Sequence, residues 1–180
     1  MNPRTAKLFE HLDHHRANLR TAVEEVPPEL RSQRPAPERW SVIELLEHLV
    51  LVERRLTYLF KQWLAEAREQ NLPPEDETDF GLSENLEIVL NRGYQVTASE
   101  AVRPQGKLNE AAAWVALEEA RRDLKATVLG FEGLPLGGII RPHPAIGPIN
   151  FYQWVEFVGW HEARHTAQIR ENGSVLGSQR

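Results

Sequence analysis

Not one of the 180 residues is a cysteine. That excludes disulfide staples, thiolate metal ligands and a cysteine nucleophile, and it fits a reducing, cytoplasmic setting. Long apolar runs are missing too. No stretch approaches the ~18 uncharged apolar residues of a membrane-spanning helix, and Met1-Asn2-Pro3-Arg4 opens no apolar signal core, so neither a span nor a secretion signal is expected. Nor is there an excess of positive charge. Lys and Arg number 21 against 26 Asp and Glu, a net charge of −5, and the bases are interleaved with acids. A nucleic-acid-binding face is therefore not expected. There is no internal repeat or low-complexity tract, and only Tyr94 to Val102 reads as extended chain. A chain of 180 residues can bury a full core, so residues 1–180 read as one domain.

What is present is helical periodicity, in four long segments. The first runs from about Pro3 to Glu25, with Leu8, Leu12, Leu19, Ala22 and Val26 on one stripe and Pro27-Pro28 as its stop. The second opens at Ser41, with Glu44 three residues on as a capping box, and continues to about Gln70. The third spans Asn109 to Leu129 before Gly130; the fourth starts near Pro148 and is expected to end at Asn172-Gly173. Four such helices around one core make an all-α four-helix bundle. The linker between the second and third, residues 71–108, is far longer than a tight turn needs. It could cross back along the second helix, which would make helices two and three parallel.

The most informative run is His161-Glu162-Ala163-Arg164-His165. It matches H-E-x-x-H, in which two histidines one helical turn apart bind zinc and the glutamate acts as base. The extended zinc-protease form would need Gly at 168 and His at 171, where this chain has Gln168 and Glu171. Little sequence follows His165, so a third ligand is expected from upstream. Trp154, Val158, His161, His165 and Gln168 step by three or four and share one stripe, and Leu45, His48, Val52 and Leu56 form the matching stripe on helix two. A buried imidazole is costly unless it finds a partner. Three on facing core stripes call for a shared one, and a metal ion bound by His48, His161 and His165 supplies it.

The other histidines carry plainer readings. His11 and His15 form a second i, i+4 pair beside His14, expected to lie mostly at the surface, with His15 a weak candidate for the pocket. His143, in Arg141-Pro142-His143-Pro144, is expected to be structural or to face substrate. Glu162 lies about 100° round the helix from His161. It is expected to be solvated or paired with an arginine, and is only a weak candidate base. Glu44 and Gln168 are placed to accept the second N–H of ligand imidazoles; Glu44 also has its capping role.

These pieces together resemble the DinB/YfiT-like superfamily of metalloenzymes over nearly the whole chain. Arg39-Trp40-Ser41 followed by His48-Leu49 is similar to that family's second-helix motif, and Tyr94 to Gly106 to its crossover. His143-Pro144-Ala145-Ile146-Gly147-Pro148-Ile149-Asn150 and the run Trp160 to Ile169 are similar to its approach to, and ending of, helix four. The resemblance implies an up-down-down-up bundle, with a divalent metal such as nickel or zinc on His48, His161 and His165, and often a homodimer. It also implies, for some members, transfer of a low-molecular-weight thiol such as bacillithiol or mycothiol to a small electrophile.

Three neutral imidazoles leave coordination positions open, which suits a catalytic rather than a structural site. Such a position could bind a thiol and lower its pKa, or activate water for hydrolysis. The S-transferase-like reading leads. A metal-dependent hydrolase is the alternative, and a non-catalytic metal- or ligand-binding bundle is the third.

Overall fold

The computed structural model describes residues 1–69, 72, 84–91 and 97–178. Helix α1 spans Pro3–Glu24, α2 Val42–Glu69, α3 Glu110–Leu129 and α4 Phe151–Ser178. Each start has a local cause. The Asn2 side chain accepts from the Arg4 amide at 2.8 Å. Ser41 and Glu44 form a reciprocal box, the Ser41 amide donating to Glu44 Oε2 at 2.8 Å and the Glu44 amide to Ser41 Oγ at 3.2 Å. Asn109 accepts from the Ala112 amide at 2.9 Å. Each bond satisfies an amide that the first helical turn leaves without a partner.

The direction of the helices follows from what they touch. Arg31, whose carbonyl accepts the Ile43 amide at the start of α2, bonds Glu110 at the start of α3, and Arg68 near the end of α2 reaches the Gly130 carbonyl just past α3. So α2 and α3 run parallel. His11 meets Glu156 and Glu25 meets Arg170, so α1 and α4 are parallel as well. Arg20 with Glu118 and Asp13 with Lys125 make α1 antiparallel to α3. The order is up-down-down-up, with the long crossover between α2 and α3.

Two apolar clusters fill the bundle. One holds Leu12, Phe60, Leu64, Leu124, Phe151 and Val155; the other holds Leu19, Val23, Leu45, Leu46, Leu117 and Ile169. Each fully buried side chain of this size contributes roughly 1.5–3 kcal/mol. Between the clusters lie four buried charges, one from each helix. Arg16 Nε bonds Glu162 Oε1 at 2.6 Å and Arg16 Nη2 bonds Glu53 Oε2 at 2.9 Å. Arg121 Nε bonds Glu53 Oε1 at 2.6 Å and Arg121 Nη2 bonds Glu162 Oε2 at 3.1 Å. Each carboxylate therefore meets both guanidiniums. Burial opposes the charge on Arg121, but Glu162 and Glu53 outweigh it and raise its pKa further.

The fourth helix departs from its sequence pattern at both ends. It begins at Phe151 rather than near Pro148, because residues 147–150 pair in an antiparallel hairpin: β1 (Ile140–His143) with β2 (Gly147–Asn150). Gly147, with φ +92°, turns the chain at the hairpin's tip. Asn150 and Gln153 then cap α4 reciprocally, each amide–oxygen distance being 2.9 Å. At the far end α4 continues through Asn172-Gly173. Asn172 is fully buried, donating to the Trp40 carbonyl at 2.8 Å and accepting from Arg39 at 3.0 Å. A Cβ on Gly173 would lie 2.9 Å from Val26 Cγ2, so glycine serves close helix packing there, not termination. The extended stretch expected at Tyr94 to Val102 is not a strand where it is described: 97–99 are irregular and Glu100–Val102 is a short 3-10 turn, while Tyr94 lies outside the described residues.

Candidate metal centre

His161 and His165 stand one turn apart on α4, and their Nε2 atoms are 3.2 Å apart. His48 reaches across from α2, its ring centroid 5.3 Å from that of His161 and 4.9 Å from that of His165. One ring nitrogen from each of the three lies within 4.8 Å of the others. A tetrahedral ion bound at ~2.1 Å holds its nitrogen ligands ~3.4 Å apart. The cluster has the size and donor chemistry such an ion needs.

The outer nitrogens are committed elsewhere, which aims the inner ones. His48 Nδ1 donates to the Val102 carbonyl at 2.7 Å, and His165 Nδ1 donates to Gln168 Oε1 at 3.0 Å. Each Nδ1–H leaves Nε2 with a lone pair. Burial lowers the pKa of His48, with the bond to Val102 acting against it. Burial also takes His161 well below its ordinary value, helped by His165 and His48. Neutral imidazoles at neutral pH are the form that binds metal. His161 is only half-buried.

Aromatic side chains extend from the cluster. Phe157 lies 5.4 Å from His161, His143 lies 4.5 Å from Phe157 and 5.0 Å from Trp154, and Trp63 lies 5.4 Å from Trp154, all between ring centroids. His143 is held by the hairpin tip and accepts the Ala145 amide on Nδ1 at 3.1 Å, so its neutral form carries the proton on Nε2. The structure thus sets His143 beside the cluster, one ring removed from a ligand position.

Several expected placements are corrected. Glu44 does not orient His48: its carboxylate is held by Arg34 at 2.9 and 3.1 Å as well as by the Ser41 amide, and Val102 takes the His48 N–H instead. Partial burial of Glu44 works toward a raised pKa, but Arg34 and Ser41 outweigh it and lower it. Of the placements open to Glu162, the structure has the arginine pairing: both oxygens are engaged by Arg16 and Arg121 in the ion quartet, which leaves neither free to act as base. His11 and His15 are buried rather than superficial. They fill the α1–α4 contact against Trp160 and over Gly159, where an added Cβ would lie 2.4 Å from His11 Nε2. His15 packs its ring on His11, His14 and Trp160, not on the three-histidine cluster. Sequence reasoning missed the Val102 carbonyl and the ion quartet. Arg16, Glu53, Arg121 and Glu162 do fall on the apolar stripes, as charges at core spacing, and that signal was readable.

Two histidines outside the cluster, buried His15 and half-buried His143, predict acid sensitivity. Burial lowers both His15 and His143 to about 4 from an ordinary 6.5. The unfolded chain then takes up protons first as pH falls, so stability is fully present above 6.5 and is lost progressively toward 4. The urea midpoint should begin to fall near pH 6, above the ordinary carboxylate range of ~4. A midpoint flat down to about pH 5 would contradict this.

A four-helix bundle of up-down-down-up order with a metal-compatible trio of histidines is a recognisable class of protein, and comparison with known proteins gives it a family. Residues 11–169 match the DinB superfamily, and the chain belongs to it. It is similar to the uncharacterised protein YuaE of Bacillus subtilis (strain 168), 25% identical over 141 residues that make up 78% of this chain and 81% of that one. In fold it is similar to a crystal structure described as TT2238, a four-helix bundle protein, with a TM-score of 0.61, 18% identity and coverage of 93% of this chain and 98% of that one. Among the described residues no helix is long and apolar enough to cross a membrane.

Proposed function

We propose that the protein is a metal-dependent enzyme that transfers a low-molecular-weight thiol to a small electrophile, with zinc or nickel held by His48, His161 and His165. The observation that carries this reading is the convergence of three imidazole nitrogens, with no Asp, Glu or Cys joining them in the cluster among the described residues. Three protein ligands and an open position are the mark of a catalytic site. A divalent ion there supplies Lewis acidity, lowering the pKa of a thiol that reaches the open position. The chain's own part is to hold the lone pairs of His48 and His165 in place through Val102 and Gln168, with Phe157, His143 and Trp154 as the aromatic neighbours of the site. The zinc-protease form of the hydrolase reading needs Glu162 as a carboxylate base, and its engagement by two arginines counts against that form.

The test begins with elemental analysis of protein purified without a metal-affinity column, followed by a conjugation screen with bacillithiol and mycothiol against small electrophiles. One zinc or nickel per chain and thiol consumption that stops on chelation are the expected results. Metal-free protein that takes up neither ion on titration would end the reading.

Chelation should leave the bundle folded, because neither the apolar clusters nor the ion quartet includes any of the three histidines. Its melting temperature should drop, since an ion bound only to the native state at 100 times its Kd contributes roughly 2.7 kcal/mol. Collapse of the helical circular dichroism on chelation would instead make the site structural.

A further inference from the structure

Glu47, next to the candidate ligand His48, is 4% exposed, and among the described residues its partners are backbone amides rather than a cation. The Gly106 amide donates to Oε2 at 2.9 Å and the Gln105 amide to Oε1 at 3.2 Å. The Lys107 amide approaches both oxygens, at 3.4 and 3.3 Å. Three successive amides can converge on one carboxylate because Gly106 adopts φ +68°, in the left-handed region that glycine enters freely. The segment so held is the end of the crossover. Three residues before Gln105 in that segment stands Val102, whose carbonyl takes the His48 Nδ1–H at 2.7 Å. The link between them is stiff: Pro104 has its φ fixed by its ring, and Arg103 before it is extended at φ −76°, ψ 129°.

We propose that Glu47 is a positioning residue: by pinning amides 105–107 it holds the Val102 carbonyl on His48, and so sets which nitrogen of His48 carries the proton. The inference rests on the metal reading above for its purpose but not for its geometry. Adjacent residues of α2 thus grip the same strip of crossover, Glu47 by the loop's amides and His48 by its carbonyl. Without the anchor, the carbonyl is free to leave and His48 loses the bond that commits its proton to Nδ1. Its Nε2 lone pair is then no longer reserved for the cluster. His165 takes its orientation from Gln168 on its own helix, not from the Val102 carbonyl.

The experiment uses the full chain stripped of metal, as wild type, as Glu47→Gln and as Gly106→Ala. The second variant distorts the amide cradle through the backbone while leaving α2 untouched, should Glu47→Gln fail to fold. Imidazole ¹⁵N shifts should show His48 as the Nδ1–H tautomer in the wild type and as a mixture in the variants, with His165 unchanged in all three. Titration with Co²⁺ should show affinity reduced roughly 10- to 100-fold in the variants, the range typical for loss of an outer partner of a ligand histidine. A His48 tautomer that stays on Nδ1–H in both variants overturns the proposal, whatever Co²⁺ does. Co²⁺ affinity that matches the wild type despite a shifted tautomer overturns it too. Wild-type protein that binds no Co²⁺ instead overturns the metal reading, and the tautomer still decides the positioning role.

Discussion

Glu162→Gln is expected to destabilise the protein by about 3–5 kcal/mol, a large fraction of the ~5–15 kcal/mol that separates most folded domains from the unfolded chain. Glu162 is 2% exposed and accepts from two guanidiniums, Arg16 at 2.6 Å and Arg121 at 3.1 Å. Glutamine keeps the shape but removes the charge and turns an N–H₂ toward one arginine. Two buried cations then share the single carboxylate of Glu53. Removing one partner from a buried ion pair leaves an uncompensated charge, which costs far more than the intact pair contributes. Urea denaturation monitored by circular dichroism measures the loss, and a change below about 1 kcal/mol would show the quartet to be solvated in solution. Poor activity of this variant therefore reports on folding before chemistry, and any assay of it needs correction for the folded fraction.

The sequence made the bundle readable and left the choice between solvent and arginine at Glu162 open, for the same reason. Helical periodicity shows which residues face inward, and Leu12, Leu45, Leu124 and Val158 all obey it. The capping pair Ser41 and Glu44 and the cap Asn109 are local, so they too can be seen without a structure. The three histidines were legible because their stripes on α2 and α4 bring them together once the helices face each other. What a charged residue does on an inward stripe depends on what the other three helices place opposite it. Arg16, Glu53, Arg121 and Glu162 are 37, 68 and 41 residues apart in successive steps along the chain, and no local pattern pairs them. Long-range contact likewise hid the true end of α4. Asn172-Gly173 has the composition of a stop, but Asn172 bonds Trp40 and Arg39, and Gly173 admits Val26, so the helix continues. The hairpin ahead of α4 was hidden by its prolines: Pro142 and Pro148 face each other in its register, and neither residue type suggests a strand.

Substitution of any one of His48, His161 and His165 by alanine should abolish stoichiometric metal binding and leave the bundle folded. Structural zinc sites bind with roughly 10–16 kcal/mol, usually through four ligands, so one imidazole accounts for about 3 kcal/mol, or roughly two orders of magnitude in Kd. A three-ligand site has little to spare, and the two nitrogens left after such a change cannot enclose an ion. Folding should survive, because the neighbours of these histidines are the apolar clusters, whose contacts do not pass through the cluster of rings. His11→Ala supplies the control. It removes an imidazole that also has an i, i+4 partner, but one packed against Trp160 and bonded to the Glu156 carbonyl at 3.0 Å, in a group whose ring nitrogens, among the described residues, do not converge closely enough to share an ion. Thermal unfolding with and without added zinc separates the cases. Wild type and His11→Ala should both be stabilised by zinc, His11→Ala from a lower starting point because of the packing it loses at the α1–α4 contact. The three cluster variants should show no zinc-dependent shift. A His48→Ala protein that keeps the wild-type metal content would remove α2 from the site, and would leave the His161–His165 pair, with Nε2 atoms 3.2 Å apart, to hold the ion without it.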